Sequence, residues 1–427
     1  MFRFTNLIIF ELTRDCNIRC KYCYVQDKDC YKGEIIDFEV YKKIINQIVK
    51  QRLSCNKQKE TLRMNFHGGE FTMIGKKRFI SICEYTVKTF TENGIEYSLG
   101  MQSNGTLLDE EWLDIFKHYN IPLGMSLDSL IEKENLRFSS DEQLHKLKEL
   151  LILAREKNMP SSTLSVFNKH NLKNIKKDEK IFFNELPVVN RKINIMEDMV
   201  NPYNSKLQPK GREIFKYFHK KELELFLKTG ETKETHTRTL LDDTLTDILS
   251  FHENGYYSGC TGKMCGAGLT MIAVRPDGSM GYCDRYSRDL QENYIENALD
   301  YDFLGLHQLQ KAMEFNLRRH NILKENGCDT CRAQYICEGG CMASFYSKFG
   351  YYGIEKDFTC PQFLNFFDYV KKNLIPILRK YIETDRVINE RETVTIFNLK
   401  NDMLDYLNSK GIGLEFKDNK IKPYYKE

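Results

Sequence analysis

A chain of 427 residues that is 41% hydrophobic can bury more than one core, and its 63 basic against 60 acidic residues leave a net charge of only +3. That balance provides no field for holding nucleic acid or an anionic membrane surface, so neither is expected as a partner. The apolar run within MFRFTNLIIFELTRD stops at Glu11, too short for a signal-peptide core or a spanning helix, which predicts a cytoplasmic protein whose 14 cysteines stay reduced.

In chain order, NLIIFELT (6–13) reads as a strand that runs into three close cysteines, Cys16, Cys20 and Cys23. Further apolar runs follow at LRMNFHGG (62–69), YSLGMQSNG (97–105), PLGMSLD (122–128), STLSVFN (162–168) and KINIMED (192–198). The polar stretches between them space apolar residues three and four apart, as amphipathic helices do. Alternating strands and helices predict an α/β fold with a parallel sheet, here a partial (β/α)6 barrel over residues 1–204. Reactive groups of such barrels gather at the C-terminal strand ends, where GGE, SNG and SLD stand. Residues 205–255 read as a helical connector of two helices, with Lys216, Lys220 and Lys221 on a solvated face. Eight cysteines crowd into Cys260–Cys360, inside a Cys-rich domain at 256–365, while Cys30, Cys55 and Cys83 read as small buried apolar residues. Residues 366–427 read as a helix and a small α+β module, closed by a hairpin turning at Asp418-Asn419.

Three thiolates can hold three irons of a [4Fe–4S] cube and leave the fourth open to a ligand. The spacing Cys16-x3-Cys20-x2-Cys23 directly after a strand resembles the radical S-adenosylmethionine (SAM) superfamily. The resemblance implies that the open iron chelates SAM, whose reductive cleavage releases a 5′-deoxyadenosyl radical that abstracts a substrate hydrogen. It also implies that Gly68, Gly69 and Glu70 accept hydrogen bonds from the SAM ammonium and that Tyr22 lies over the adenine. Ser103 and Asn104, in QSNGT, resemble the family's TNG and would lie near SAM. Ser126 and Asp128, in GMSLDS, resemble its SLDG and would approach the ribose or carboxylate, with Arg137 downstream as a carboxylate partner. Ser129 stands where the family has glycine, a departure at that turn.

Cys265-x12-Gly278-x4-Cys283, then Cys328-x2-Cys331-x5-Cys337-x3-Cys341 and Cys360, resembles the SPASM domain of radical SAM peptide and protein maturases. The resemblance implies two auxiliary clusters, one on Cys260, Cys265, Cys283 and Cys341, the other on Cys328, Cys331, Cys337 and Cys360. Together with the first cube that makes three [4Fe–4S] clusters and SAM as cofactors. The implied function is a maturase that installs a thioether or carbon–carbon cross-link, or a related oxidation, in a peptide. The alternative is an anaerobic sulfatase-maturing type of enzyme that oxidises Cys or Ser to formylglycine; a non-catalytic electron carrier is more distant. Asp284, directly after Cys283, matches an acidic residue of the sulfatase-maturing branch and is the candidate catalytic base. Expected partners are a peptide or protein substrate and an external electron donor of flavodoxin or ferredoxin type. With the first strand starting at residue 6, no leader-binding module is expected in front of the barrel.

Overall fold

The computed structural model describes residues 5–23, 34–131, 136–137, 141–186, 190–196, 204–229, 266–268, 270–285, 294–297, 324–337, 339–341, 359–376, 412–417 and 420–425, with positions 237, 240, 241, 244 and 343. The chain divides into two compact units. One comprises residues 1–208, 265–322 and 342–353; the other comprises 209–264, 323–341 and 354–427.

All six expected strands are present in the first unit: β1 (Leu7–Thr13), β2 (Leu62–Gly68), β3 (Tyr97–Met101), β4 (Leu123–Ser126), β5 (Ser161–Phe167) and β6 (Asn190–Ile195). Between them run α1 (Phe38–Ser54), α2 (Lys76–Glu92), α3 (Glu110–His118), α4 (Asp141–Glu156) and α5 (Ile175–Glu185). β1, β2 and β3 pair in parallel, and so do β4, β5 and β6. A lone parallel bridge from Ser103 to Met125 links the two sets. Because helices cover the sheet, β1 is buried from Ile8 through Thr13, which is why its sequence is nearly continuous in apolar residues.

Local chemistry fixes the helix ends. The Asp37 carboxylate caps α1 by accepting from the backbone N–H of Glu39 and Val40, and Asp109 caps α3 through Trp112 N–H. Asn56, Asn120 and Asn158 sit at positive φ just beyond α1, α3 and α4, the left-handed geometry that stops a helix. Phe79 of α2 meets Phe66 of β2 edge-to-face at a centroid distance of 5.2 Å and lies tilted against Trp112 of α3 at 5.4 Å. Cys83 is fully buried in this core, as a small apolar residue would be; Cys55 is half-buried, and Cys30 lies outside the described residues.

One strand comes from an unexpected place. Met271–Val274, within the Cys-rich segment, forms β7 and pairs in parallel with β1, Leu7 against Met271. β8 (Ser279–Gly281) and β9 (Tyr294–Asn297) follow in antiparallel, giving a sheet ordered β3-β2-β1-β7-β8-β9. The run MIAV is buried on both faces and carries no alternation from which a partner could be read.

In the second unit, α6 (Gly211–Ile214) passes through a π turn at Phe215–His219 into α7 (Lys220–Thr229). Next come the short α8 (Gln334–Cys337), α9 (Cys360–Asn373) and an antiparallel hairpin of β10 (Ile412–Lys417) and β11 (Lys420–Tyr425). Leu223, Leu227, Ile336, Phe366 and Val370 form its core. At the π turn His219 is buried, 2.8 Å from Thr237 Oγ1 through Nδ1 and 2.6 Å from the Gln362 amide through Nε2. Lys220 and Lys221 pair with Glu224 at the surface, the solvated face expected of them. The Asp418-Asn419 turn and residues 377–411 lie outside the described residues. Among those described, no helix is long and apolar enough to cross a membrane.

Candidate active site

The C-terminal ends of β1 to β4 bring the expected residues together. β1 ends at Thr13 and the cysteine loop begins at once. β2 then abuts the root of that loop so tightly that Gly69 N–H donates to Thr13 C=O at 2.9 Å and Glu70 N–H to Asp15 C=O at 2.7 Å. A Cβ on Gly68 would stand 2.0 Å from the Thr13 carbonyl oxygen, and one on Gly69 would stand 2.2 Å from that of Asp15. Both positions therefore require glycine for packing alone, before any ligand is considered.

Glu70 is buried and its carboxylate is occupied by its own chain. Oε1 accepts from Thr72 Oγ1 at 2.7 Å and Ser103 Oγ at 2.8 Å, while Oε2 accepts from Asn104 N–H at 2.6 Å. Burial raises its pKa, opposed by these same hydrogen bonds. Glu70 thus fastens the loop after β3 to the end of β2. That loop is also stitched to β4, with Ser103 N–H on Gly124 C=O at 3.0 Å and Ser126 N–H on Ser103 C=O at 2.8 Å. The Ser126 hydroxyl accepts from the Gln102 amide at 2.8 Å.

A second knot joins the cysteine loop to β4. Tyr22 donates its phenol hydrogen to Asp128, which also accepts from Val166 N–H at 3.0 Å. Arg137 Nε lies 3.6 Å from Asp128 Oδ1, and its guanidinium stands 5.7 Å from the centre of the Tyr22 ring. Lys21 N–H donates to Leu136 C=O at 3.1 Å, which holds the Arg137 segment against the loop. Burial alone would lower the Arg137 pKa, but the negative groups around it (Cys20, Tyr22, Asp128 and Cys23) outweigh burial and push it well up. Cys20 experiences the converse: burial raises its thiol pKa and Arg137 pulls it down.

Ser129 has its own explanation. Its hydroxyl donates to Asp178 at 2.6 Å, and Asp178 is ion-paired with Arg191 at 2.6 Å. Arg191 donates onward to Asp128 C=O at 2.6 Å and to Ser165 Oγ at 2.8 Å, with its guanidinium 4.0 Å from the Phe182 ring centre. The backbone of Asp128 is thereby fixed from below by residues of α5 and β6.

The donor set fits an anionic iron–sulfur cube: three sulfurs on one loop, a buried cation facing two of them, and N–H donors from Ile18 and Asn104 on Cys16. Asp284, half-buried after the buried Cys283, interacts electrostatically with Glu11 of β1. Burial raises the Glu11 pKa, Arg275 and Arg14 lower it, and Asp284 raises it. Cys260 and Cys265 lie outside the described residues. Cys328, Cys331, Cys337, Cys341 and Cys360 lie in the second unit. There Cys331 N–H donates to Cys328 C=O at 3.2 Å, and both Cys331 and Cys360 act electrostatically on Arg332. Among the described residues, no three His, Cys, Asp or Glu side chains converge as a single metal ion would require.

Sequence reasoning missed Asn17, Thr72, Gln102, Thr106, Asp178 and Arg191. Asn17, Gln102 and Thr106 adjoin recognised motifs and could have been found by adjacency. Asp178 and Arg191 are isolated polar residues within a helix and a strand, and nothing in their spacing marks them.

Residues 10–180 match the model of the radical SAM superfamily. Over 371 residues the chain is 25% identical to a cysteine-type anaerobic sulfatase-maturating enzyme of Clostridium novyi (strain NT), covering 85% of this chain and 94% of that protein. A protein of the same description from Clostridium perfringens (strain ATCC 13124) is 24% identical over 384 residues, covering 87% and 98%. The fold is similar to that of native anSMEcpe with bound AdoMet, with a TM-score of 0.68 and 22% identity over 87% of this chain and 98% of that one. It is also similar to Streptococcus suis SuiB bound to S-adenosylmethionine, with a TM-score of 0.58 and 16% identity over 84% and 77%. Residues 10–180 are a radical SAM domain, whose chemistry uses a [4Fe–4S] cluster and SAM, and the chain that carries it is an enzyme.

Proposed function

We propose that this enzyme is a maturase that oxidises a side chain of a peptide or protein substrate, in the manner of the anaerobic sulfatase-maturating enzymes it resembles. The observation that carries the reading is the convergence, at the ends of β1 to β4, of Cys16, Cys20 and Cys23 with Glu70, Asn104, Asp128 and Arg137. When bound, the cluster and SAM supply the one-electron chemistry that removes a substrate hydrogen. The chain's own part is positional. Glu70 fixes the loop after β3, Tyr22 and Asp128 close the cysteine loop over β4, and Arg137 offers a buried positive charge beside the sulfurs. Asp284, close enough to Glu11 for their charges to interact, is the group proposed to take the proton released from the substrate side chain.

The sequence alone favours a cross-linking peptide maturase. The sulfatase-type reading stands ahead of it because the relatives with that description align over nearly their whole length. Cross-linking of a peptide is retained as the second reading; SuiB, whose fold is similar, is bound to a precursor peptide, SuiA, in a structure that covers 84% of this chain. Two auxiliary clusters, on the cysteines set out above, and an external flavodoxin or ferredoxin complete the proposal.

Protein purified without oxygen is expected to hold about twelve irons in three cubes and, once reduced, to yield 5′-deoxyadenosine from SAM. Given a sulfatase-derived Cys peptide, it should form an aldehyde that a hydrazide traps. A leader-bearing peptide that instead loses a hydrogen pair without aldehyde would establish the cross-linking reading. Colourless protein that leaves SAM intact would end both.

A further inference from the structure

Asn104 has a more specific geometry than proximity to SAM requires. It is buried, and its Oδ1 accepts from Thr106 backbone N–H at 2.9 Å and from Thr106 Oγ1 at 2.6 Å. A backbone N–H can only donate, so the atom facing it must be the amide oxygen, and the orientation of the side chain is determined. Its NH2 group therefore points the other way, 2.9 Å from Asn17 Oδ1 and 3.7 Å from Cys16 Sγ. Asn17 closes the circuit by donating its own amide to Thr106 Oγ1 at 2.7 Å. The result is a ring, Asn17 to Thr106 to Asn104 and back to Asn17, in which every donor has an acceptor. The Asn104 amide has a second N–H beyond the ring, and it is directed at the Cys16 sulfur. The backbone of Asn104 is held by Glu70, so the ring cannot drift from the cysteine loop.

We propose that Asn104 is a positioning residue for the cluster: its amide donates an N–H···S hydrogen bond to the Cys16 thiolate and thereby sets the potential at which the site-bearing cube is reduced. The inference rests on the radical SAM reading of Cys16. Reduction adds negative charge that spreads onto the sulfurs, so a donor on sulfur stabilises the reduced form most and raises the potential. Cys16 also receives the Ile18 N–H, so the asparagine adds to a backbone donor rather than supplying the sole one.

The test uses the full chain, loaded without oxygen and titrated with dithionite through mediators. Electron paramagnetic resonance identifies the site-bearing cube as the signal that changes when SAM is added. In Asn104→Ala the reduction equilibrium of that signal should move at least tenfold toward the oxidised form, about 59 mV for a one-electron couple. Asn104→Asp keeps the shape and the Thr106 contacts but replaces the donor with a negative oxygen, and should move it further the same way. Unchanged midpoints in both variants, at wild-type iron content, would overturn the proposal. Should Asn104→Ala lose its iron, wild-type protein labelled with nitrogen-15 at the asparagine side-chain amide gives the answer without a substitution. A nitrogen coupling on the SAM-responsive cube is expected, and its absence overturns the proposal. Wild-type protein with no SAM-responsive signal would instead overturn the radical SAM reading itself, a different result from variants that fail to shift.

Discussion

Tyr22 and Asp128, separated by 106 positions in the chain, meet in a phenol-to-carboxylate hydrogen bond that ties the cysteine loop to the end of β4. Tyr22→Phe removes that donor and keeps the ring, leaving Asp128 with Val166 N–H and Arg137. A hydrogen bond to a charged group is worth about 1.5–3 kcal/mol, so the urea midpoint should fall with an unchanged slope. Calorimetry on the same variant should show weaker SAM binding. Equal stability would mean that Val166 and Arg137 hold Asp128 without help.

Glu70 accepts only from donors, so Glu70→Gln places an NH2 against Ser103 and Thr72 or against Asn104 N–H. Each buried donor left without an acceptor costs about 1–3 kcal/mol. The expected outcome is faster amide hydrogen exchange across residues 103–106 together with reduced SAM affinity. Weaker SAM binding with unaltered exchange would assign Glu70 to direct ligand contact instead of loop fixation.

Asp284→Asn separates recognition from chemistry. A general base contributes about 10²–10⁴-fold, so product formation should slow by that range while peptide affinity holds. The paired measurements are peptide binding and product mass spectrometry. Full turnover by the variant would remove Asp284 from the mechanism.

The Asp178–Arg191 pair is fully buried, with Ser129 and Asp128 C=O hydrogen-bonded to it. Breaking a buried pair from one side typically costs about 3–5 kcal/mol because the remaining charge has no partner. Asp178→Asn should therefore depress the unfolding midpoint far more than any surface change. A loss below about 1 kcal/mol would show that water or a rearranged neighbour compensates.

Arg332 clasps Asp368 through two hydrogen bonds of 2.8 and 2.7 Å, joining the cysteine-bearing turn to α9. Those bonds hold the Asp368 carboxyl below its usual pKa, with burial opposing. The folded value is depressed, so the pair's contribution is present above the unfolded pKa and is lost as pH falls through the folded one. Both side chains are about half-exposed, which limits the contribution to about 0.2–1 kcal/mol. Asp368→Asn should cost that much near neutrality and nothing in acid, and added salt should shrink the difference.

Much of the barrel was legible because its strands are short apolar runs and each ends in polar punctuation that the site uses. NLIIFELT could be little else, and GGE, SNG and SLD stood where a barrel's chemistry gathers. Two kinds of information were not legible. One is close approach: Gly68 and Gly69 resemble a ligand-binding signature, yet the carbonyls of Thr13 and Asp15 already demand them. The other is long-range pairing of featureless segments. MIAV could have closed any sheet, and Arg191 on β6 gave no hint that it would support Asp128 through its main chain. The break at Phe215–His219 was invisible for a related reason, since a π turn keeps helical composition while shifting the register of the side chains.

The parallel pairing of β1 with β7 sets an order of events during synthesis. Leu7–Phe10 leaves the ribosome early, yet its partner Met271–Val274 emerges only after most of the chain has been made. At about 5–20 residues per second, that edge of β1 stays open for roughly tens of seconds. Its open side is a row of unpaired amides on a strand whose side chains are almost all apolar, the kind of edge that recruits other chains. A fragment that stops at residue 208 would keep that edge open permanently and should be recovered as aggregate, whereas one continuing through β7 can close it in cis.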